Sequence, residues 1–508
     1  MTKFTKLLTC LLLTGTYLNA QTIINTPGTG VNWNMDSLVA HHPAAVQLSN
    51  NEYHVGSKII FSPTDTFSDY SGAYVAFDSA ATFEFKKSVV QINTSGIAMW
   101  KPVDTLKSFL RVRFDSAASV TINGLSLLHS NGISFINSDA TLEQLTMRKT
   151  HHTGSNPSGA VSLLNSNLQV QNSFFYESVR SAITLSVNSG SSIKLQTSVF
   201  RNNGTSNGNY PQINIGTANA DGVLIEDCEI HGSYPKVGGL AFLNVTAANY
   251  PATVRNSTFM KNRYGIAVNG RGIQAMIANN VIDSNNIEGL PMMGGSGINI
   301  LGDSSLDIIA VNNRISRNLW GATIQQSGNN GAPKVSFGRI APVNVADTGS
   351  NYFLGNGFND TLYAIYNNTP DTVWAQRNRW DYETLDSIET TIFHKVDDTS
   401  LGWVLFDSFY VTPPVDTGTS VRTVLPKGNF ATVFPNPAMG NDALIKSEKP
   451  MTAMRIIDIN GRLVSEVKLK SVKEYMIPVH NYAAGAYYIW LTDGKQQQVL
   501  KWIIANKK

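Results

Sequence analysis

The sequence predicts an all-β chain: a long parallel β-solenoid followed by a small C-terminal β-sandwich. Three observations carry this. A short apolar and Asn-like unit recurs through the middle of the 508 residues. Charged residues make up only 15% of the chain, well below the usual quarter, with Asn, Ser, Thr and Gly in their place. Near residue 412 the composition turns Pro-, Gly- and Thr-rich, and a different strand pattern follows.

Residues 1–20 read as a leader. Lys3 and Lys6 precede the apolar run Leu7 to Leu13, and Ala20 before Gln21 suits a signal peptidase. No later stretch approaches the roughly 18 apolar residues of a membrane span. Of two cysteines, Cys10 falls in the leader, so Cys228 is left alone and no internal disulfide is expected. Residues 21–426 hold 25 basic and 30 acidic side chains, whereas 427–508 hold 12 and 6. A weakly acidic body argues against a nucleic-acid groove, which needs clustered positive charge.

The repeat reads apolar, any, Asn-like, any, any, apolar. It appears as Val170-Gln171-Asn172-Ser173-Phe174-Phe175 and Ile225-Glu226-Asp227-Cys228-Glu229-Ile230, and again at Val254 to Phe259, Ile277 to Ile282 and Ala310 to Ile315. From Gly124 to Asn312 the units are 20, 28, 25, 30, 29, 23 and 33 residues apart. That leaves room for two or three short strands per unit and none for a helix. Coils stacked about 4.8 Å apart turn the apolar positions into interior columns. Asn172, Asn256, Asn279, Asn312, Asn262, Asn285 and Asn318 are then expected to stack at the corners and exchange amide hydrogen bonds.

This pattern resembles the right-handed parallel β-helix of the pectate-lyase-like superfamily. The resemblance covers residues 56–411, with 21–55 expected as an N-terminal cap and aromatics such as Tyr363, Tyr366, Trp374 and Trp380 sealing the far end. At about 25 residues per coil, this allows roughly fourteen coils.

After a linker at 412–426, residues 427–508 show alternating strands and tight turns. Pro435-Asn436-Pro437, Asp458 followed by Asn460-Gly461-Arg462, Gly485 with Tyr487, and the basic end resemble the type A C-terminal sorting domain of the Bacteroidetes type IX secretion system. The family usually has Leu where Tyr482 stands. The resemblance implies the secretion machinery as partner, and release or surface attachment after passage through the periplasm. Asp-Ser/Thr-aliphatic triplets begin at Asp36, Asp78, Asp104, Asp115, Asp360, Asp371 and Asp386. They are similar to the Bacteroidetes O-glycosylation acceptor, although such dipeptides also favour turns.

Chemistry is less visible. Asp227, Glu229 and His231 lie near one coil, and Arg255, Lys261, Arg263 and Tyr264 on the next. Acids beside bases are what a uronan lyase needs, since one group takes the proton α to the carboxyl and a cation steadies the charge left behind. Scattered solvated charges explain them more simply. Arg148, His151 and His152 form the densest basic cluster, suited to an anionic sugar, and Cys228 reads as inert packing. No metal-ligand spacing, nucleophile elbow or phosphate loop is present. The leading expectation is a monomeric, non-catalytic glycan-binding or adhesin-like protein without cofactor, with Tyr210, Tyr234 and Tyr264 as stacking platforms. The alternative is a polysaccharide-degrading enzyme, first a lyase, in which case Ca²⁺ is the cofactor to expect.

Overall fold

The computed structural model describes residues 22–151, 159–246, 248–290, 293–342, 344–411, 430–438, 442–458, 463–494 and 496–505. The expected leader with Ala20 and Gln21, His152, the linker 412–426 and the Asn460-Gly461-Arg462 turn lie outside these residues. The chain divides into two units, Met1–Asp416 and Thr417–Lys508.

The first unit is a parallel β-helix. One sheet contains fourteen strands, from Ile23–Asn25 to Ile392–Phe393, each paired parallel with the strand one coil on. Two further strand series complete each coil. In the second, Val120 stands on Ala140, Leu168 and Ile193; in the third, Leu127 stands on Met147, Phe175, Phe200, Ile230, Phe259, Ile282, Ile315 and Phe353. These inward columns are buried, each large side chain contributing about 1.5–3 kcal/mol. Near the N-terminus, Phe61, Phe85, Phe114 and Phe135 stack as parallel rings, 4.6–4.9 Å between centroids.

The parallel ladder begins inside the stretch expected to cap the solenoid, since Ile23–Asn25 and Asn32–Trp33 already pair with the next coil. The helix Met35–His41 and the antiparallel pair Val46–Ser49 and Glu52–Val55 follow. Asp65 knits this end together, accepting from Gly28, Gly30 and Val31 amides and from the Trp33 indole. At the other end, buried Trp380 stacks on Phe353, 4.9 Å away.

The corners differ from expectation in one respect. Gln144, Asn172, Thr197, Asp227, Asn256, Asn279 and Asn312 all take left-handed φ of 48–58°. Asn and Asp tolerate that region best, which accounts for their recurrence. Their side chains are half-buried or exposed, and Asn312 reaches Asn279 from outside the core. The buried polar ladder runs one residue later. There Cys228 N donates to Ser257, Ser257 N to Asn280, Asn280 N to Asn313, Asn313 N to Asn351 and Asn351 N to Asn378, at 2.8–3.1 Å. Cys228 occupies a serine slot, its thiol donating to the Glu226 carbonyl as Ser198 and Ser257 do to theirs.

A second ladder lies at the next corner, where Asn262, Asn285, Asn318 and Asn356 are linked amide to amide. One coil breaks it. Ser233 is exposed there and bonds to Asn202 instead. Gln212 fills the slot from a neighbouring segment, accepting from Asn203 at 3.1 Å and donating to Asn262 at 2.9 Å.

The second unit is one five-stranded antiparallel sheet. Its long strands Ala443–Asp458 and Leu463–Ile477 carry register shifts after Lys446 and Met451, so a single sheet curls over its own core of Met451, Met454, Ile456, Ile489, Leu491 and Trp502. Asn436 pairs with the last strand as another strand would, bonding Lys501 O and Ile503 N.

Gln212→Ala leaves buried Asn203 and Asn262 without their bridging amide and is expected to cost about 2–4 kcal/mol by denaturant unfolding. Asn172→Gly, at a left-handed corner that glycine adopts freely, is expected to cost under about 1 kcal/mol. Burial raises the Cys228 thiol pKa to about 12. A thiol-specific reagent at pH 8 should therefore label the chain only after denaturation; rapid labelling of native protein contradicts the packing described.

Candidate functional site

The sequence candidates fall at three separate places. Glu229 and His231 project outward from the third strand series, in register with Val199 and Arg201 before them and Thr258 and Met260 after. A shallow cleft of about 230 Å³ is lined by Glu229, Ile230, His231, Thr258 and Met260. Glu229 lies 3.7 Å from Arg201. Burial lowers the His231 pKa, and the charges of Arg201 and Lys261 lower it further, so the imidazole is neutral at pH 7. Lys261 thus belongs to this group, at the left-handed corner beyond it.

Asp227 and Arg255 belong elsewhere. Asp227 is itself a corner residue, and Arg255 pairs with Glu226 of the preceding coil at 2.6 Å. Arg263 and Tyr264 lie in the loop leading to the fourteen-stranded sheet. The Arg263 guanidinium is consumed by Glu288, the Asn209 side chain and the Met293 carbonyl. Tyr264 lies against Gly238, where a Cβ would stand 2.1 Å from its ring, and burial raises its pKa to about 12.

Arg148 bonds Glu177 at 3.2 Å on the neighbouring coil, and His151 meets His129 with 3.1 Å between Nε2 and Nδ1. His129, Arg201 and Glu177 were not singled out from sequence. Repeat position was the signal for Arg201, since Arg148, Tyr176, Arg201 and His231 occupy one outward column, while His129 and Glu177 stand at the left-handed corner one residue later. A larger cavity, about 660 Å³, opens at the N-terminal end beside Gln47, His54, Asp78, Asp104 and Lys107, with His54 3.0 Å from Asp78. Among the described residues, no three His, Cys, Asp or Glu side chains are grouped to hold a metal ion. The triplet hydroxyls differ: Ser79, Thr105, Thr361 and Thr372 are exposed, whereas Ser37 is committed to the capping box of the first helix.

Residues 432–505 match the family described as "Secretion system C-terminal sorting domain". The second unit is a sorting domain of the type IX secretion system. The sorting domain implies the secretion machinery as partner, and secretion or an outer-membrane surface location. Among solved structures, a mutant of the periplasmic alginate epimerase AlgG is similar at 11% identity, over 75% of this chain and 84% of that one, with a TM-score of 0.46. The receptor-binding protein of bacteriophage Det7, a podoviral tailspike in a myovirus, is similar at 10% identity over 96% and 95%, with a TM-score of 0.31. No curated protein matches the chain. No helix among the described residues is long and apolar enough to cross a membrane.

The His129 pKa is lowered from 6.5, by burial first and then by His151. The unfolded chain therefore binds more protons below about pH 6.5, and stability falls as the pH drops through that value. In an NMR titration His129 should turn over below 6.5 and shift upward in His151→Ala; a wild-type midpoint at or above 6.5 contradicts the contact.

Proposed function

We propose that the solenoid is a non-catalytic glycan-binding, adhesin-like module displayed or released by the sorting domain. The observation that carries this reading is the state of the outward charges. Arg148–Glu177, Arg201–Glu229, Arg255–Glu226 and Arg263–Glu288 are ion pairs between residues of different coils. A lyase needs its base and its cation free to meet the same sugar, and a partnered guanidinium gives up an existing bond to do so. A binding face has no such requirement. Tyr210, Tyr234 and Tyr264 are half-buried on the loops of three consecutive coils, preceding the strands Ile213–Ile215, Leu240–Asn244 and Ile266–Gly270. Such rings offer flat apolar surface to the C–H face of a pyranose. Arg180 over the Tyr210 ring, 5.1 Å from its centroid, holds the first platform in place.

One observation favours a second reading, a uronan lyase. His231 is neutral and opens on a cleft with Arg201 and Lys261 near it, a base beside cations. The two readings separate in one experiment. The purified chain is mixed with pectins, alginates and glycosaminoglycans, with and without Ca²⁺, following retention on the polymer and the ultraviolet absorbance of unsaturated uronide. The binding reading expects retention without absorbance, weakened about tenfold or more when Tyr210, Tyr234 and Tyr264 are replaced together by Ala. Rising absorbance that is lost in His231→Ala replaces it with the lyase.

A further inference from the structure

The curled sheet of the sorting domain has two sides, and one of them is closed. Met454, Ile456, Ile489, Leu491 and Trp502 fill the interior. The residues alternating with these point the other way, and strand register sets them in rows. Ile457 stands opposite Tyr488, which stands opposite Lys501; Arg455 stands opposite Trp490, which stands opposite Val499; Ala486 stands opposite Ile503. The rows are adjacent, so Ile457, Tyr488, Trp490, Val499, Ala486 and Ile503 form one apolar and aromatic area. Tyr488 is 40%, Val499 52% and Ile503 37% exposed. Strand outer faces normally alternate to polar residues, and a contiguous apolar area of this kind marks an interaction surface.

The charges around it say what kind of partner fits. Lys501 lies within the area, Arg455 over the Trp490 ring at 5.1 Å, and Lys468 one row further, opposite Ala453. Glu466, which bonds Arg455 at 2.6 Å, is an acid beside these rows. The imbalance extends to the whole segment, since 427–508 hold 12 basic residues against 6 acidic, while 21–426 are net acidic. We infer that this outward face, centred on Tyr488, Trp490, Val499 and Ile503, is where the secretion machinery grips the domain, through an apolar surface rimmed by acidic side chains. Aromatic residues on a rigid sheet lose little freedom on docking, and the lysines speed encounter with an acidic rim.

The test uses the full chain in its own secreting cells. Tyr488→Thr, Val499→Thr and Ile503→Thr together keep strand-forming residues at exposed positions while removing the apolar surface. The ratio of exported to periplasmic protein is expected to fall about tenfold or more, the effect of losing one interfacial hot spot. Lys501→Glu with Lys468→Glu is expected to lower it too, whereas Lys446→Gln, in the other half of the sheet beside Glu474, leaves it unchanged. Thermal unfolding of the purified triple variant must match wild type, which separates lost docking from lost folding. Export of a stable triple variant at the wild-type level overturns the inference, and so does equal loss of export in Lys446→Gln.

Discussion

Everything in the solenoid depends on side-chain inheritance between coils. Parallel pairing places each residue directly over its counterpart, so a chemical choice made in one coil constrains the next. In the core this is permissive, because Ile, Phe, Leu and Ala all satisfy an inward column. At the corners it is strict. The chain turns there by folding polar backbone inward, and each buried amide must find a donor or acceptor one coil away. The ladders through Asn280, Asn313, Asn351 and Asn378, and through Asn262, Asn285, Asn318 and Asn356, meet that requirement. Gln212 shows its force, since a coil without a ladder residue borrows one from outside the repeat.

The same inheritance shapes the outer surface. An arginine on one coil has the next coil about 4.8 Å away, where a carboxylate completes an ion pair. Arg148 with Glu177, Arg201 with Glu229 and Arg255 with Glu226 are this arrangement at three places. Exposed pairs of this kind contribute little stability. Their consequence is electrostatic, because a face whose charges are locally balanced presents no concentrated field to the surroundings. His129 beside His151 departs from that pattern, two imidazoles meeting where the other places pair a base with an acid.

The two units solve the problem of sheet edges differently. The solenoid makes nearly all its strands neighbours of another coil and puts the Met35–His41 helix with the Asp65 hydrogen bonds at the N-terminal end, and Trp380 with the Leu385–Glu389 helix near the other. The sorting domain uses a side chain, Asn436, to occupy the backbone groups of its last strand. The prolines flanking Asn436 have no amide hydrogen to offer an added strand, so the edge stays closed to pairing.

By itself the sequence determined the architecture, because a period of about 25 residues, recurring Asn-like corner residues and inward apolar pairs are local signals that repeat. It determined the second unit through short motifs whose order is readable without coordinates. It did not determine which residue carried each ladder. Asn279 and Asn280 are indistinguishable as letters, and only the corner dihedral decides that Asn280 points inward. Nor did it determine the grouping of candidate residues. Asp227 and Glu229 are two apart, yet one is a corner and the other a strand residue, while His129 and His151 meet across 22 positions. Tertiary structure decided both, since contact in a solenoid follows the offset within the coil, and coil length varies too irregularly for that offset to be counted from the chain.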